Sequence, residues 1–186
     1  MGTGSSYEHS HSVKAERLYP DLITAMPSIL FVCLANRYRS PLAAAFFRHC
    51  LEQAADRGSW VVGSAGTWAQ PGLHPEAMAL KDARVRGLDI KSHRSRQVNA
   101  ALLSQSNLVL VMEAGQKEAL QVEFPKERDK IYLLSEVADS IPYDIPDPFG
   151  PDSGTHQEIA NELFELIKRG FGNIYRLALD IQNILP

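Results

Sequence analysis

The sequence predicts an α/β domain in which a four-stranded parallel sheet carries helices on both faces. Short apolar runs recur without the polar alternation of a half-exposed strand. Helix-length patterns separate them, as crossover connections require. No internal repeat or linker divides the 186 residues, a length sufficient for one core.

Taken in order, the chain opens on a Gly/Ser/His-rich stretch with no signal-peptide core. Residues 1–26 read as a flexible leader and 27–186 as the domain. Met1-Gly2-Thr3-Gly4-Ser5-Ser6 fits the N-myristoylation pattern, but a pattern this short also fits an ordinary flexible tail. Ser28–Val32 reads as a buried strand. Pro41–Asp56 reads as a helix, with Leu42, Ala45, Phe46 and Cys50 at helical spacing. Trp60–Val62 is a second strand, ending in Gly63-Ser64-Ala65-Gly66-Thr67. Pro75–Arg86 is a helix stopped by Gly87, Asn107–Met112 a third strand, and Lys117–Phe124 part of a helix. Lys130–Leu134 is the fourth strand. Thr155-His156-Gln157-Glu158 is a capping box. It opens a long amphipathic helix through Ile159, Leu163, Leu166, Ile167, Ile174, Leu177 and Ile181, with Gly170-Phe171-Gly172 as a candidate kink.

The formal net charge is −3, which gives no global bias toward nucleic acid or an anionic membrane. No apolar run approaches transmembrane length. Cys33 and Cys50 lie in one strand–loop–helix unit, with Cys50 about 15 Å or more along the helix, too far for a disulfide. Unpaired thiols fit a reducing, cytoplasmic setting.

The chemistry concentrates where the first strand ends, in Cys33-Leu34-Ala35-Asn36-Arg37-Tyr38-Arg39-Ser40-Pro41. A cysteine at a strand end is ordinarily packing. Here Arg39 follows six residues later, then a good N-cap in Ser40 and a good first helical residue in Pro41. The loop Leu34–Tyr38 can turn its amides onto a phosphate, with the helix N-terminus pointing at the same anion. Arg39 can fork onto two phosphate oxygens. Both features favour the thiolate, the nucleophilic form of Cys33. Asn36 tolerates the left-handed backbone such a loop needs.

Phosphoryl transfer to a thiolate also needs a proton for the departing oxygen. In open parallel sheets, ligands bind beyond the carboxyl ends of the strands. Three stretches lie there: the Cys33 loop, Ser64–Trp68, and Asp144-Ile145-Pro146-Asp147-Pro148-Phe149-Gly150. Asp147 is the candidate acid, and Asp144, three residues earlier, competes with it.

VCLANRYRSP (32–41), GSAGTWAQPG (63–72), SHRSRQV (92–98), LVLVME (108–113) and IPDPFG (145–150) together resemble the low-molecular-weight protein-tyrosine phosphatases over about residues 28 to 182. The resemblance implies the phosphotyrosine phosphatase I-like fold and hydrolysis of protein phosphotyrosine through a cysteinyl-phosphate. Cys33 would be the nucleophile, Arg39 the phosphate clamp and Asp147 the general acid, with no metal or cofactor. A supporting network would fall on Asn36, Ser40, Ser64 and His93. Trp68 and Phe149 come from neighbouring loops and could wall the aromatic ring. The implied partner is a phosphorylated protein.

Three positions depart from the family pattern. Tyr38 stands where many members carry a second cysteine, so disulfide protection of Cys33 by that route is closed. Ala35 replaces a common glycine and requires a negative φ. Arg37 stands where tyrosine phosphatases commonly carry isoleucine and arginine phosphatases threonine. Two orientations stay open for it: standing at the pocket mouth and reading acidic residues beside a phosphotyrosine, or pointing to solvent or pairing with a surface carboxylate. Competing functions on the same scaffold are an arginine phosphatase, a thiol-dependent arsenate reductase and a non-catalytic phosphoprotein-binding module. The reductase needs resolving thiols, and no cysteine follows Cys50.

Overall fold

The computed structural model describes residues 26–54, 60–149 and 155–184. The stretch read as a leader, with its myristoylation pattern, therefore lies outside the described residues apart from Met26. Strand β1 (Ser28–Cys33) leads through the Cys33 loop into helix α1 (Arg39–Gln53). Strand β2 (Val61–Gly66), helix α2 (Ala77–Val85) and the short helix α3 (Ala100–Ser104) follow. Then come β3 (Leu108–Val111), α4 (Ala114–Glu123), a 3-10 turn (Pro125–Lys130), β4 (Ile131–Leu133), α5 (Leu134–Asp139) and α6 (His156–Ile184).

All pairings are parallel, in the order β2-β1-β3-β4. The two faces of β1 enter different cores. Ile29 and Phe31 pack with Leu108, Leu110, α1 and α6, whereas Leu30 and Val32 pack with Val109, Val111, Leu103 and Leu120. Burial of both faces explains the missing polar alternation. Among the described residues no helix is long and apolar enough to cross a membrane.

Several boundaries differ from those expected, each for a local reason. Helix α1 begins at Arg39, so Ser40 lies inside it, and the N-cap residue Tyr38 makes no side-chain cap bond. The Ser40 hydroxyl is engaged by Cys33 Sγ, the Asn36 amide and the Ala65 carbonyl instead of capping the helix. Strand β2 runs on to Gly66, because the turn-like Gly-Ser-Ala-Gly stays in register with β1 up to Cys33 opposite Gly66. The helix that contains Lys117 begins at Ala114, whose N–H donates to Asp144 Oδ1 from another loop at 2.7 Å. Short helices α3 and α5 had no periodic signal to announce them. The capping box forms as read: Thr155 N–H donates to Glu158 Oε2 at 2.6 Å and Glu158 N–H to Thr155 Oγ1 at 3.2 Å. Helix α6 is assigned as one helix through Gly170 and Gly172. Gly170 serves packing: a Cβ there would lie 2.5 Å from Ala138 Cα on α5.

Candidate active site

The site lies beyond the carboxyl ends of β1, β2 and β3. Strand β1 delivers Cys33, buried at 3% exposure, and the loop folds back over it. Asn36 takes φ of 56°, the left-handed turn that aims its N–H at Cys33 Sγ, 3.3 Å away. Ser40 Oγ lies 3.0 Å from the same sulfur. Ala35 keeps a negative φ, since Asn36 and Ser140 are the non-glycine residues with positive φ among the described residues.

Asn36 organises the loop. Its amide Nδ2 donates to Ser40 Oγ at 2.8 Å and Ser64 Oγ at 3.0 Å, and its Oδ1 accepts the Arg96 N–H at 3.0 Å. His93 Nε2 lies 2.7 Å from the Asn36 carbonyl oxygen. Burial pushes the His93 imidazole below the ordinary histidine range despite that bond, and the charges of Arg96, Arg48 and Arg94 add to the effect. The end of β2 braces the loop from beneath: Thr67 N–H donates to the Cys33 carbonyl and Trp68 N–H to the Leu34 carbonyl, both at 2.9 Å.

Arg39 is 1% exposed and held on three sides. Its Nη1 donates to the Ile145 carbonyl at 2.9 Å and pairs with Glu113 Oε1; its Nη2 meets Asp147 Oδ2 at 2.5 Å. Ile145 N–H donates in turn to the Met112 carbonyl beyond β3 at 2.8 Å, which docks the Asp147 loop against the sheet. Asp147 Oδ1 accepts the Phe149 N–H at 3.1 Å, a local turn that fixes the carboxylate. The competition between the two aspartates has a geometric answer: Asp144 faces the start of α4, and Asp147 faces Arg39.

Together Cys33, Ala35, Arg37, Tyr38, Arg39, Glu76, Asp147 and Phe149 line a cleft of about 70 Å³. A wider hollow of about 530 Å³ beside α2 is lined by Leu80, Lys81, Arg84 and Lys91 among others, with no cysteine among its lining residues.

One expected placement changes, and one open alternative is decided. Trp68 is 81% exposed and does not line the cleft, so of the two proposed wall residues only Phe149 stands there. The Trp68 backbone braces the loop instead. Arg37 does not project free toward a substrate. Its Nη1 pairs with Glu76 Oε1 at 2.7 Å, and its Nε donates to the His74 carbonyl at 3.0 Å. Tyr38 is buried, its hydroxyl 2.7 Å from Asp82 Oδ2 and 2.6 Å from the His156 carbonyl. Burial and the Asp82 bond push its phenol far above the ordinary range. Its ring stands edge-on to Phe149, 6.2 Å between centroids. Glu76, Glu113 and Arg96 were not foreseen. Glu113 and Arg96 lie in the motifs LVLVME and SHRSRQV, though neither motif by itself assigns them a partner; Glu76 carries no such signal.

Residues 28–177 match the family described as low molecular weight phosphotyrosine protein phosphatase. A probable low molecular weight protein-tyrosine-phosphatase EpsP of Ralstonia nicotianae is 32% identical over 143 residues, covering 77% of this chain and 90% of that protein. A protein-arginine-phosphatase of Geobacillus stearothermophilus is 32% identical over 141 residues, covering 76% and 91%. Among solved structures, a YwlE mutant from Bacillus subtilis superposes with a TM-score of 0.73 at 28% identity, covering 80% of this chain and 98% of that one.

Proposed function

This chain belongs to the low molecular weight phosphotyrosine protein phosphatase family, and we propose that it hydrolyses phosphotyrosine in proteins through a phosphate ester on Cys33. The observation that carries this reading is the convergence of Cys33, Arg39 and Asp147 on one small cleft.

The Cys33 thiolate attacks phosphorus, forming a P–S bond as the P–O bond to the leaving group breaks. Asn36 N–H and Ser40 Oγ beside the sulfur suit the thiolate. Loop amides, Arg39 and the N-terminus of α1 stabilise the charge on the transferring phosphoryl group. Asp147 gives its proton to the leaving oxygen. The resulting carboxylate then takes a proton from the water that attacks phosphorus, releasing inorganic phosphate and the Cys33 thiolate. Glu113 and the Ile145 carbonyl orient Arg39; the bonds of Asn36 to Ser40, Ser64 and Arg96 hold the loop open to the anion. No step calls for a metal or cofactor.

Phenylalanine at 149 offers an apolar face for an aryl group. Dephosphorylation of arginine is a second reading, supported by the relatives named protein-arginine-phosphatase. Both cysteines are free, which accords with a reducing, cytoplasmic setting.

The test is turnover of an aryl phosphate by the wild type and Cys33→Ser, with acid-quench trapping and a panel of phosphotyrosine, phosphoserine and phosphoarginine peptides. The wild type should trap phosphate on Cys33, and Cys33→Ser should lose at least ~3 orders of magnitude in rate. Near-normal activity of Cys33→Ser would overturn the assignment. Turnover confined to phosphoarginine would promote the second reading.

A further inference from the structure

The segment before α2 brings one carboxylate to the mouth of the cleft. Glu76 lines it beside Cys33, Asp147 and Phe149. It is tied to the phosphate loop twice: its N–H donates to the Arg37 carbonyl at 3.0 Å, and its Oε1 takes Arg37 Nη1 at 2.7 Å. The His74 carbonyl holds Arg37 Nε from the same segment. The pair is therefore positioned by main chain as well as by side chains, with the two side chains 32% and 30% exposed.

We propose that Glu76, neutralised by Arg37, is a specificity residue that sets which leaving-group charge the cleft accepts. The inference rests on the phosphatase reading above and specifies its substrate class: phosphate esters whose leaving group is uncharged near the phosphate.

The argument is electrostatic. Arg39 is paired with Glu113, and Asp147 carries the proton it gives to the leaving oxygen, so outside this catalytic set the charged side chains lining the cleft are Arg37 and Glu76. Paired, they cancel close to where a leaving group must sit. A neutral phenol then meets Phe149 and no uncompensated charge. Removing the Arg37 charge uncovers Glu76, which attracts a cationic leaving group and repels an anionic one. Removing the Glu76 charge uncovers Arg37 and does the reverse. Because the pair is partly exposed, each effect is modest and screened by salt.

The experiment measures kcat/KM for three phenyl phosphates: unsubstituted, para-carboxymethyl and para-aminomethyl. The readout is the ratio of cationic to anionic substrate in the wild type, Arg37→Met, Glu76→Gln and the double variant. Arg37→Met should raise the ratio about three-fold, Glu76→Gln should lower it about as much, and the double variant should return toward the wild type. All shifts should shrink in about 0.5 M salt. Glu76→Gln alone decides the matter if Arg37→Met fails to fold. A ratio unmoved by Glu76→Gln, or moved the same way by both single variants, overturns the proposal while leaving the phosphatase reading intact. Absence of turnover of all three esters by the wild type overturns that reading and this inference with it.

Discussion

Arg39 and Asp147, 108 residues apart in sequence, meet through Nη2 and Oδ2 at 2.5 Å. The proposed phosphate clamp thus also positions the proposed acid. The same guanidinium pairs with Glu113, so one cation holds two carboxylates, of which Asp147 lines the cleft. Asp144, close by in sequence, serves the start of α4 instead.

Asp147→Asn and Asp144→Asn should therefore differ in kind. Asp147→Asn should slow esters of poor leaving groups at least ten-fold more than those of good ones, since only the former need the proton. Asp144→Asn should lower stability by roughly 1 kcal/mol through the weakened cap and leave the leaving-group dependence alone. Rates across a series of substituted phenyl phosphates check the first, and denaturant melts the second. A steeper leaving-group dependence in Asp144→Asn would transfer the role.

Gly66 should not tolerate a side chain. A Cβ there would meet the Leu34 carbonyl and lie 2.9 Å from both the Asn36 nitrogen and Ala69 Cβ. The first two belong to the backbone of the phosphate loop and cannot swing aside. Gly66→Ala should cost about 1–3 kcal/mol of stability. It should also weaken competitive inhibition by inorganic phosphate, because the displaced loop misaims its amides. Unchanged stability and phosphate affinity would show that the loop yields without consequence.

Tyr38 links three elements, with its hydroxyl near Asp82 on α2 and the His156 carbonyl at the start of α6. Tyr38→Phe keeps the ring beside Phe149 and removes the single O–H that lies between these two acceptors. The expected loss is about 1–3 kcal/mol, read from denaturant melts. Retention of full stability would mean that neither contact contributes.

His93 gives the pH dependence a sign. Its folded pKa lies below the ordinary value of 6.5, so the unfolded chain binds the proton more readily. The stabilisation from neutral His93 is fully present above about pH 6.5 and is lost as pH falls through the depressed folded value. His93→Gln retains an amide that can donate to the Asn36 carbonyl but cannot titrate. Between about pH 7.5 and 5.5, the wild type should lose more stability than His93→Gln in parallel denaturant melts. An equal loss in both would remove His93 as the cause.

Much of the fold was legible because its signals are local. Unalternating apolar runs mark strands buried on two faces, and NLVLVM at 107–112 reads that way without any partner in view. The spacing from Cys33 to Arg39 and Pro41 announces a loop between a strand and a helix, since it concerns consecutive residues. The Asn36 turn and the Thr155 capping box are equally local.

The remaining features depend on which segments the sheet order brings together. Strand β3 beside β1 sets Glu113 against Arg39, and the Ile145 anchor beyond β3 decides between Asp147 and Asp144. Docking of the 74–76 segment on the loop turns Arg37 from a free cation into half of an ion pair. Trp68 reads as an apolar wall in sequence, yet its backbone is what the loop uses. Periodicity and turn chemistry fix the elements and the nucleophilic loop. The partners of its charged side chains follow from long-range packing, because an ion pair needs two groups within about 4 Å whatever their separation along the chain.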